Sequence, residues 1–307
     1  MKKICVLGSI GYDLVTYLYN FPKAGETILG KKFIQNPGGK GENQAIAAAK
    51  AGGNVTFVGS IGDDNYGEIL KKTLENNKVK SVLKVVPNTS TQIATILIEE
   101  NSENHIVIVP GANNCFDKKM IDDNIKLIKE SDIIILQLEI PMETVEYAVD
   151  KAYELKKIII LNPAPGAKLS QNIIKKCTYL TPNENEAGLI TQMPYDTIDN
   201  IKAAAKKLYD QGAQNVIITL GEKGAYLKNK NDDIIIPTYK VNAVDTTGAG
   251  DCFTGVFATY LSKGKNLIES IKYANIASSI SVTRPGAVPS LPSEKEIEEK
   301  RKTIKNF

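Results

Sequence analysis

Short apolar runs alternate along the chain with longer stretches of helical period. Residues 4–7, 55–61, 133–138, 158–161 and 215–220 are predominantly apolar over strand length, which predicts strands buried on both faces. Residues 67–76 and 142–155 between them carry helical spacing, as do 45–51, 250–263 and 267–282. Such a rhythm predicts an α/β fold: a doubly wound, mainly parallel central sheet flanked by helices. Two segments depart from it, at about 14–35 and 82–109, where β-rich text contains no helix. They predict a small separate β-sheet, suited to act as a lid over a site. A simple antiparallel edge on the main sheet is the alternative. The whole of 1–307 reads as one domain, with no repeat or linker.

Composition narrows the class. The net charge is +3 with both signs interspersed, so nothing calls for nucleic acid or an anionic membrane as partner. The apolar run after Met1-Lys2-Lys3 stops at Gly8-Ser9, too short for a signal sequence, and the protein is expected to be cytoplasmic. Cys5, Cys115, Cys177 and Cys252 are scattered, as buried free thiols in a reducing compartment would be. The lone His105 lies in an alternating strand-like run, which leaves zinc or Ser-His-Asp chemistry little support.

Candidate chemistry concentrates in Ala243-Val-Asp-Thr-Thr-Gly-Ala-Gly-Asp251, which runs into an apolar helix. Gly248, Ala249 and Gly250 are small enough for backbone N–H groups to meet an anion at the positive end of that helix. Asp251 then stands beside the anion as a base, the arrangement that phosphoryl transfer to an alcohol requires. A tight turn with an acidic cap accounts for the same residues equally well. Other candidates carry similar alternatives. Asp13 follows the first strand, where open α/β sheets bind ligands, but it also suits a turn. The stretch from Asn36 to Gln44 holds three glycines, Lys40 and Asn43, and it is not a Walker A loop, since Gly41 follows Lys40. Glu139 ends a strand just before Pro141. Asn183 and Glu186 are spaced either to order a metal-bound water or to cap a helix. Gly221-Glu222-Lys223-Gly224 is a turn of the kind that admits phosphate and ribose.

These segments together resemble the ribokinase family of carbohydrate and nucleoside kinases. The resemblance rests on Gly8-Ser9-Ile10-x-x-Asp13, Pro22-x-x-Gly25-Glu26-Thr27, Gly38-Gly39-Lys40-Gly41-x-Asn43-Gln44-Ala45, Gln137-Leu138-Glu139, Asn162-Pro-Ala-Pro165, Thr181-Pro182-Asn183-Glu184, Ile218-Thr219-Leu220-Gly221 and Val244 to Asp251, in family order. It implies Asp251 as base and the amides of Gly248, Ala249 and Gly250 as anion hole. It also implies a sugar site at Gly11, Tyr12, Asp13, Gly39, Lys40, Gly41, Asn43, Glu139 and Asp251. ATP would meet Asn183, Thr219, Leu220, Gly221, Glu222, Lys223, Gly224, Gly250 and Asn275, with Glu186 ordering Mg2+ and water. An activating K+ would lie at Asp245, Thr247, Ser281, Arg284, Gly286 and Ser290, several of them through backbone carbonyls. Lids of this kind commonly pair, so a homodimer is expected.

Two departures bear on the acceptor. The family usually carries Asn where this chain has Gly11, so a side-chain amide is lost beside bulky Tyr12. Glu42 replaces a small residue and is expected to add an acid near the pocket. The expected reaction is ATP-dependent phosphorylation of the 5-hydroxyl of D-ribose. Deoxyribose, another pentose or hexose, or a nucleoside are the alternative acceptors, and a non-catalytic sugar-binding regulator is a third reading. A dinucleotide oxidoreductase fails because the first strand does not run into Gly-x-Gly-x-x-Gly.

Overall fold

A computed structural model of the chain describes residues 1–100 and 104–304. Its strands are β1 (Lys3–Leu7), β2 (Gly11–Tyr17), β3 (Lys32–Gly38), β4 (Asn54–Gly62), β5 (Lys80–Val86), β6 (Gln92–Ile98) and β7 (Asn104–Val109). There follow β8 (Ile133–Leu136), β9 (Ile158–Leu161), β10 (Tyr179–Leu180), β11 (Val216–Thr219), β12 (Ala225–Lys228) and β13 (Asp233–Ile236). The large sheet has the order β13-β12-β11-β10-β9-β8-β1-β4-β5, and the small one β3-β2-β6-β7. From β5 to β11 neighbours are parallel, and β12 alone runs against the rest, pairing antiparallel with both β11 and β13.

The helices are α1 (Lys40–Lys50), α2 (Asn65–Asn76), α3 (Lys118–Asp123), α4 (Ile125–Glu130), α5 (Met142–Glu154), α6 (Gln171–Lys176), α7 (Glu184–Thr191), α8 (Ile198–Asp210), α9 (Ala249–Ser262), α10 (Leu267–Ser281) and α11 (Glu294–Lys302). They cover both faces of the large sheet, which is why β8 and β9 at its centre are apolar at every position. Ile4, Val6, Ile133, Ile135 and Ile160 pack on one face with α1, α9 and α10. Cys5, Leu7, Ile134, Leu136, Ile159 and Leu161 pack on the other with α5, α6 and α8. The thiols of Cys5, Cys177 and Cys252 are fully buried and burial raises each, whereas Cys115 is half-buried.

Three sequence expectations change. β2 begins at Gly11 rather than near residue 14, so Asp13 is a strand residue of the small sheet and not a turn cap. Residues 82–86, expected in that sheet, pair instead with β4 at the edge of the large one. The helix expected from 45 begins at Lys40, so the glycine-rich stretch is largely its first turn. Glycine is required there by close approach: a Cβ on Gly41 would lie 2.6 Å from the Ser9 carbonyl oxygen. His105, expected in a strand, lies in β7 with its ring stacked on Phe21.

Glu42 does not reach open space. It is completely buried, with no donor to either carboxyl oxygen among the described residues, and burial raises its pKa well above the ordinary 4.5. The folded state therefore keeps a proton that the unfolded chain releases above 4.5, so stability is lost as pH climbs past that value. Glu42→Gln is expected to raise the thermal midpoint by a few degrees at pH 8 and by less at pH 5, measured by melting at both.

Candidate active site

The site forms where the N-termini of α1, α7 and α9 meet the carboxyl ends of the central strands. Gly248 caps α9 in the left-handed region, at φ 73°, and brings Asp251 into the helix's first turn. Asp251 is 6 % exposed, and both its oxygens are held. Asn43 Nδ2 donates to Oδ2 at 3.0 Å and Gln44 Nε2 to Oδ1 at 2.9 Å. Gln44 is fixed in turn, since Gln137 Nε2 donates to its Oε1 at 2.7 Å and its Nε2 also reaches Asn162 Oδ1 at 3.0 Å. Such a chain of amides fixes the carboxylate's orientation before any ligand arrives. Of the three amides expected to form an anion hole, Ala249 N–H already donates to Thr246 O at 3.2 Å. Gly248 and Gly250 N–H have no acceptor among the described residues.

Lys40 stands at the centre of the charge. Burial alone would lower its ammonium, but the carboxylates of Asp251, Glu139, Glu186 and Asp13 outweigh burial and raise it, so it stays a cation. Glu139 is anchored through Oε2 by Ser9 Oγ at 2.6 Å and by the Lys40 amide at 2.9 Å. Asp13 is pushed up to about 7, first by burial, then by Glu139 and Asp251, with Lys40 opposing. Gly39, at φ 86°, would place a Cβ 2.8 Å from Gly11 N, so the root of the small sheet touches the start of α1. Asp13 is thereby gathered with Lys40, Asn43, Glu139 and Asp251. Asn43 Oδ1 is buried without a donor among the described residues. Tyr12 is drawn into packing, with its ring centroid 4.8 Å from that of Tyr66 on α2.

Beside this polar pocket lies a cavity of about 520 Å³ lined by Asn183, Glu184, Asn185, Tyr195, Asp196, Thr219, Gly221 and Gly250. Gly221 is left-handed with open space where a Cβ would be, and Gly224 is packed against the Ile236 carbonyl oxygen. Leu220 is buried, and Glu222 and Lys223 belong to the 3-10 turn Gly221–Lys223, of which Gly221 lines the cavity. Asn183 and Glu186 form a reciprocal capping box on α7, each bond 2.8 Å. Glu186 Oε1 is left without a donor on the protein among the described residues. Asn275 uses its amide donors on the carbonyls of Ile236 at 3.0 Å and Pro237 at 3.2 Å, tying α10 to the end of β13.

Asp245, Ser281, Arg284, Gly286 and Ser290 also come together. Asp245 accepts from Thr247 N at 2.9 Å and Gly286 N at 2.8 Å. Burial pushes its carboxyl up, but these bonds and one from the Thr247 hydroxyl outweigh burial and hold it below its ordinary range. The hydroxyls of Ser281 and Ser290 are 2.7 Å apart, and the Arg284 guanidinium pairs with Glu296 at 2.5 Å. Four supporting residues, Ser9, Gln44, Gln137 and Asn162, were visible in sequence only as motif letters. A polar Gln on the Ala-rich buried stretch of α1 was the available signal.

Comparison with known proteins agrees with this geometry. The family described as pfkB family carbohydrate kinase matches residues 1–294. Deoxyribokinase from Salmonella typhi is 39% identical over 298 residues, covering 96% of this chain and 97% of the relative. Ribokinase from Bacillus subtilis (strain 168) is 40% identical over 302 residues, covering 97% and 99%. The structure of Arabidopsis thaliana ribokinase complexed with ribose and ATP superimposes with a TM-score of 0.92 at 31% identity, covering 97% of this chain and 98% of that one.

Proposed function

The chain belongs to the pfkB family of carbohydrate kinases, and on that premise we propose that it transfers the terminal phosphate of ATP to the 5-hydroxyl of D-ribose. One observation carries the reading: Gly250 lines the large cavity while the next residue, Asp251, is buried with its carboxylate held by two amides. The acceptor lies against Asp13, Gly39, Lys40, Gly41, Asn43 and Glu139, and Asp251 takes its proton as the oxygen attacks. The free N–H groups of Gly248 and Gly250 stabilise charge developing on the transferred phosphoryl group. Lys40, a cation among four carboxylates, faces the same charge.

Magnesium supplies neutralisation of the phosphate oxygens when it is bound with the nucleotide. Among the described residues no group of three His, Cys, Asp or Glu could cage a metal, which fits an ion that arrives with ATP. Glu186 Oε1 would hold its water. At the Asp245 loop the Asp245 carboxylate, together with backbone carbonyls of the loop, would offer hard oxygen ligands, which suits K+. Arg284, engaged with Glu296, would contribute only its carbonyl.

Measuring ADP release from the purified chain with ribose, 2-deoxyribose, other pentoses, hexoses and nucleosides tests the reading, and mass spectrometry locates the phosphate. Turnover of ribose well above the others is expected, and binding of sugar without ADP release would overturn it. Deoxyribose is the second reading, favoured by Gly11 and by the deoxyribokinase relative.

Asp13 adds a pH signature. Lying in the sugar site with a pKa of about 7, it should make kcat/KM for sugar fall about fivefold from pH 7 to pH 6. Asp13→Asn is expected to remove that acid limb while lowering the plateau, and a limb that persists in the variant would exclude Asp13 as its source.

Association through the small sheet is supported by the exposed apolar edge strand β7, where Val107 is 64% and Val109 53% exposed. We infer a homodimer in which this sheet also closes over the sugar. Among the described residues no helix is long and apolar enough to cross a membrane. Free thiols and ATP as donor support a cytoplasmic setting.

A further inference from the structure

Gly11 and Gln92 form a matched pair across two strands. They are register partners in the parallel pairing of β2 with β6. A Cβ built on Gly11 would meet only Gln92 at closest range, its Nε2 at 2.7 Å and its Cβ and Cδ at 3.0 Å. The space that a side chain at 11 would enter is therefore filled from the neighbouring strand.

The amide at 92 is also held in one orientation. Its Oε1 accepts from Asn113 Nδ2 at 2.8 Å. Asn113 is itself clamped to the Ile10 backbone, accepting from its N–H at 3.3 Å and donating to its carbonyl at 3.1 Å. With Oε1 committed to Asn113, Nε2 faces position 11 and has no acceptor among the described residues. Gln92 is 3% exposed, so this is a nearly buried donor beside the backbone that meets Gly39 at the start of α1.

We propose that Gln92 is a specificity-determining residue, its Nε2 donating to an acceptor-sugar hydroxyl in place of the side chain absent at position 11. The inference rests on the sugar-kinase reading above. Gly11 alone removes an amide, but the pair restores one from β6, so the acceptor keeps a hydrogen bond on this side. A site with a nearly buried, oriented donor discriminates against an acceptor lacking the matching hydroxyl.

Two measurements test it. Gln92→Met keeps the bulk and removes the donor. It is expected to raise KM for ribose about 3- to 10-fold with a smaller change in kcat. That rise should vanish for one of 2-deoxyribose and 3-deoxyribose, the sugar that lacks the hydroxyl met by the amide. An equal rise for all three sugars, or none, overturns the proposal. The second measurement is a swap. Gly11→Asn alone is expected to melt lower and bind sugar poorly, whereas Gly11→Asn combined with Gln92→Gly should recover both the melting temperature and the KM. A single Gly11→Asn as stable and active as the parent would overturn the pairing. If the unsubstituted chain turns over none of these sugars, the acceptor reading fails and the melts of the swap still decide the pair.

Discussion

Replacing Asp251 with Asn is expected to lower kcat by about 10²–10⁴-fold while the dissociation constant for sugar, by calorimetry, stays within a few-fold of the parent. On the proposed mechanism the carboxylate takes the acceptor proton, and its loss would leave the phosphate contacts and most sugar contacts intact. The fold should tolerate the change at modest cost. Asn43 and Gln44 both donate to Asp251, so an amide there must turn its NH2 toward one of them, and one hydrogen bond is lost. Normal turnover in this variant, with sugar still bound, would remove Asp251 from the chemistry.

Lys40→Met is the second large effect. The ammonium offsets Asp251, Glu139, Glu186 and Asp13, and removing it leaves those acids uncompensated in an enclosed site. A fall in kcat/KM of about 10²–10³-fold is expected, together with a lower melting temperature. A shift in the pH profile comes with it. Lys40 lowers the pKa of Asp13 against the larger effect of burial, so without it the acid limb should move above pH 7. An unmoved limb in Lys40→Met would mean that the two groups are not coupled.

The parts of the fold that could be read from the chain are those whose environment is uniform. Ile133–Leu136 and Ile158–Leu161 are apolar throughout because helices cover both faces, so strand character is visible without knowing the partners. The turn before α9 could be read because glycine at 248 answers a local backbone need. Sheet membership could not, because it is decided across long separations. β5 has the alternating text of a small-sheet strand, and only its pairing with β4 assigns it to the large one. β2 likewise begins among glycines that resemble a turn, and its partner β6 lies about 80 residues on. The amide chain that orients Asp251 is built from Gln44, Gln137 and Asn162, more than 90 positions apart in two of its links. Asn183 and Glu186 are the opposite case, a three-residue spacing that encodes its own capping box.

The unequal burial of the cysteines has a practical outcome. Three thiols are sealed in the core and, with raised pKa values, supply almost no thiolate at neutral pH, which leaves Cys115 as the one addressable sulfur among them. It ends the same 3-10 turn, Gly111–Cys115, that carries Asn113. A maleimide fluorophore added to the unmutated protein would therefore attach at a single place, next to the clamp between β6 and the root of β2, and its emission would report ligand-driven rearrangement there in real time.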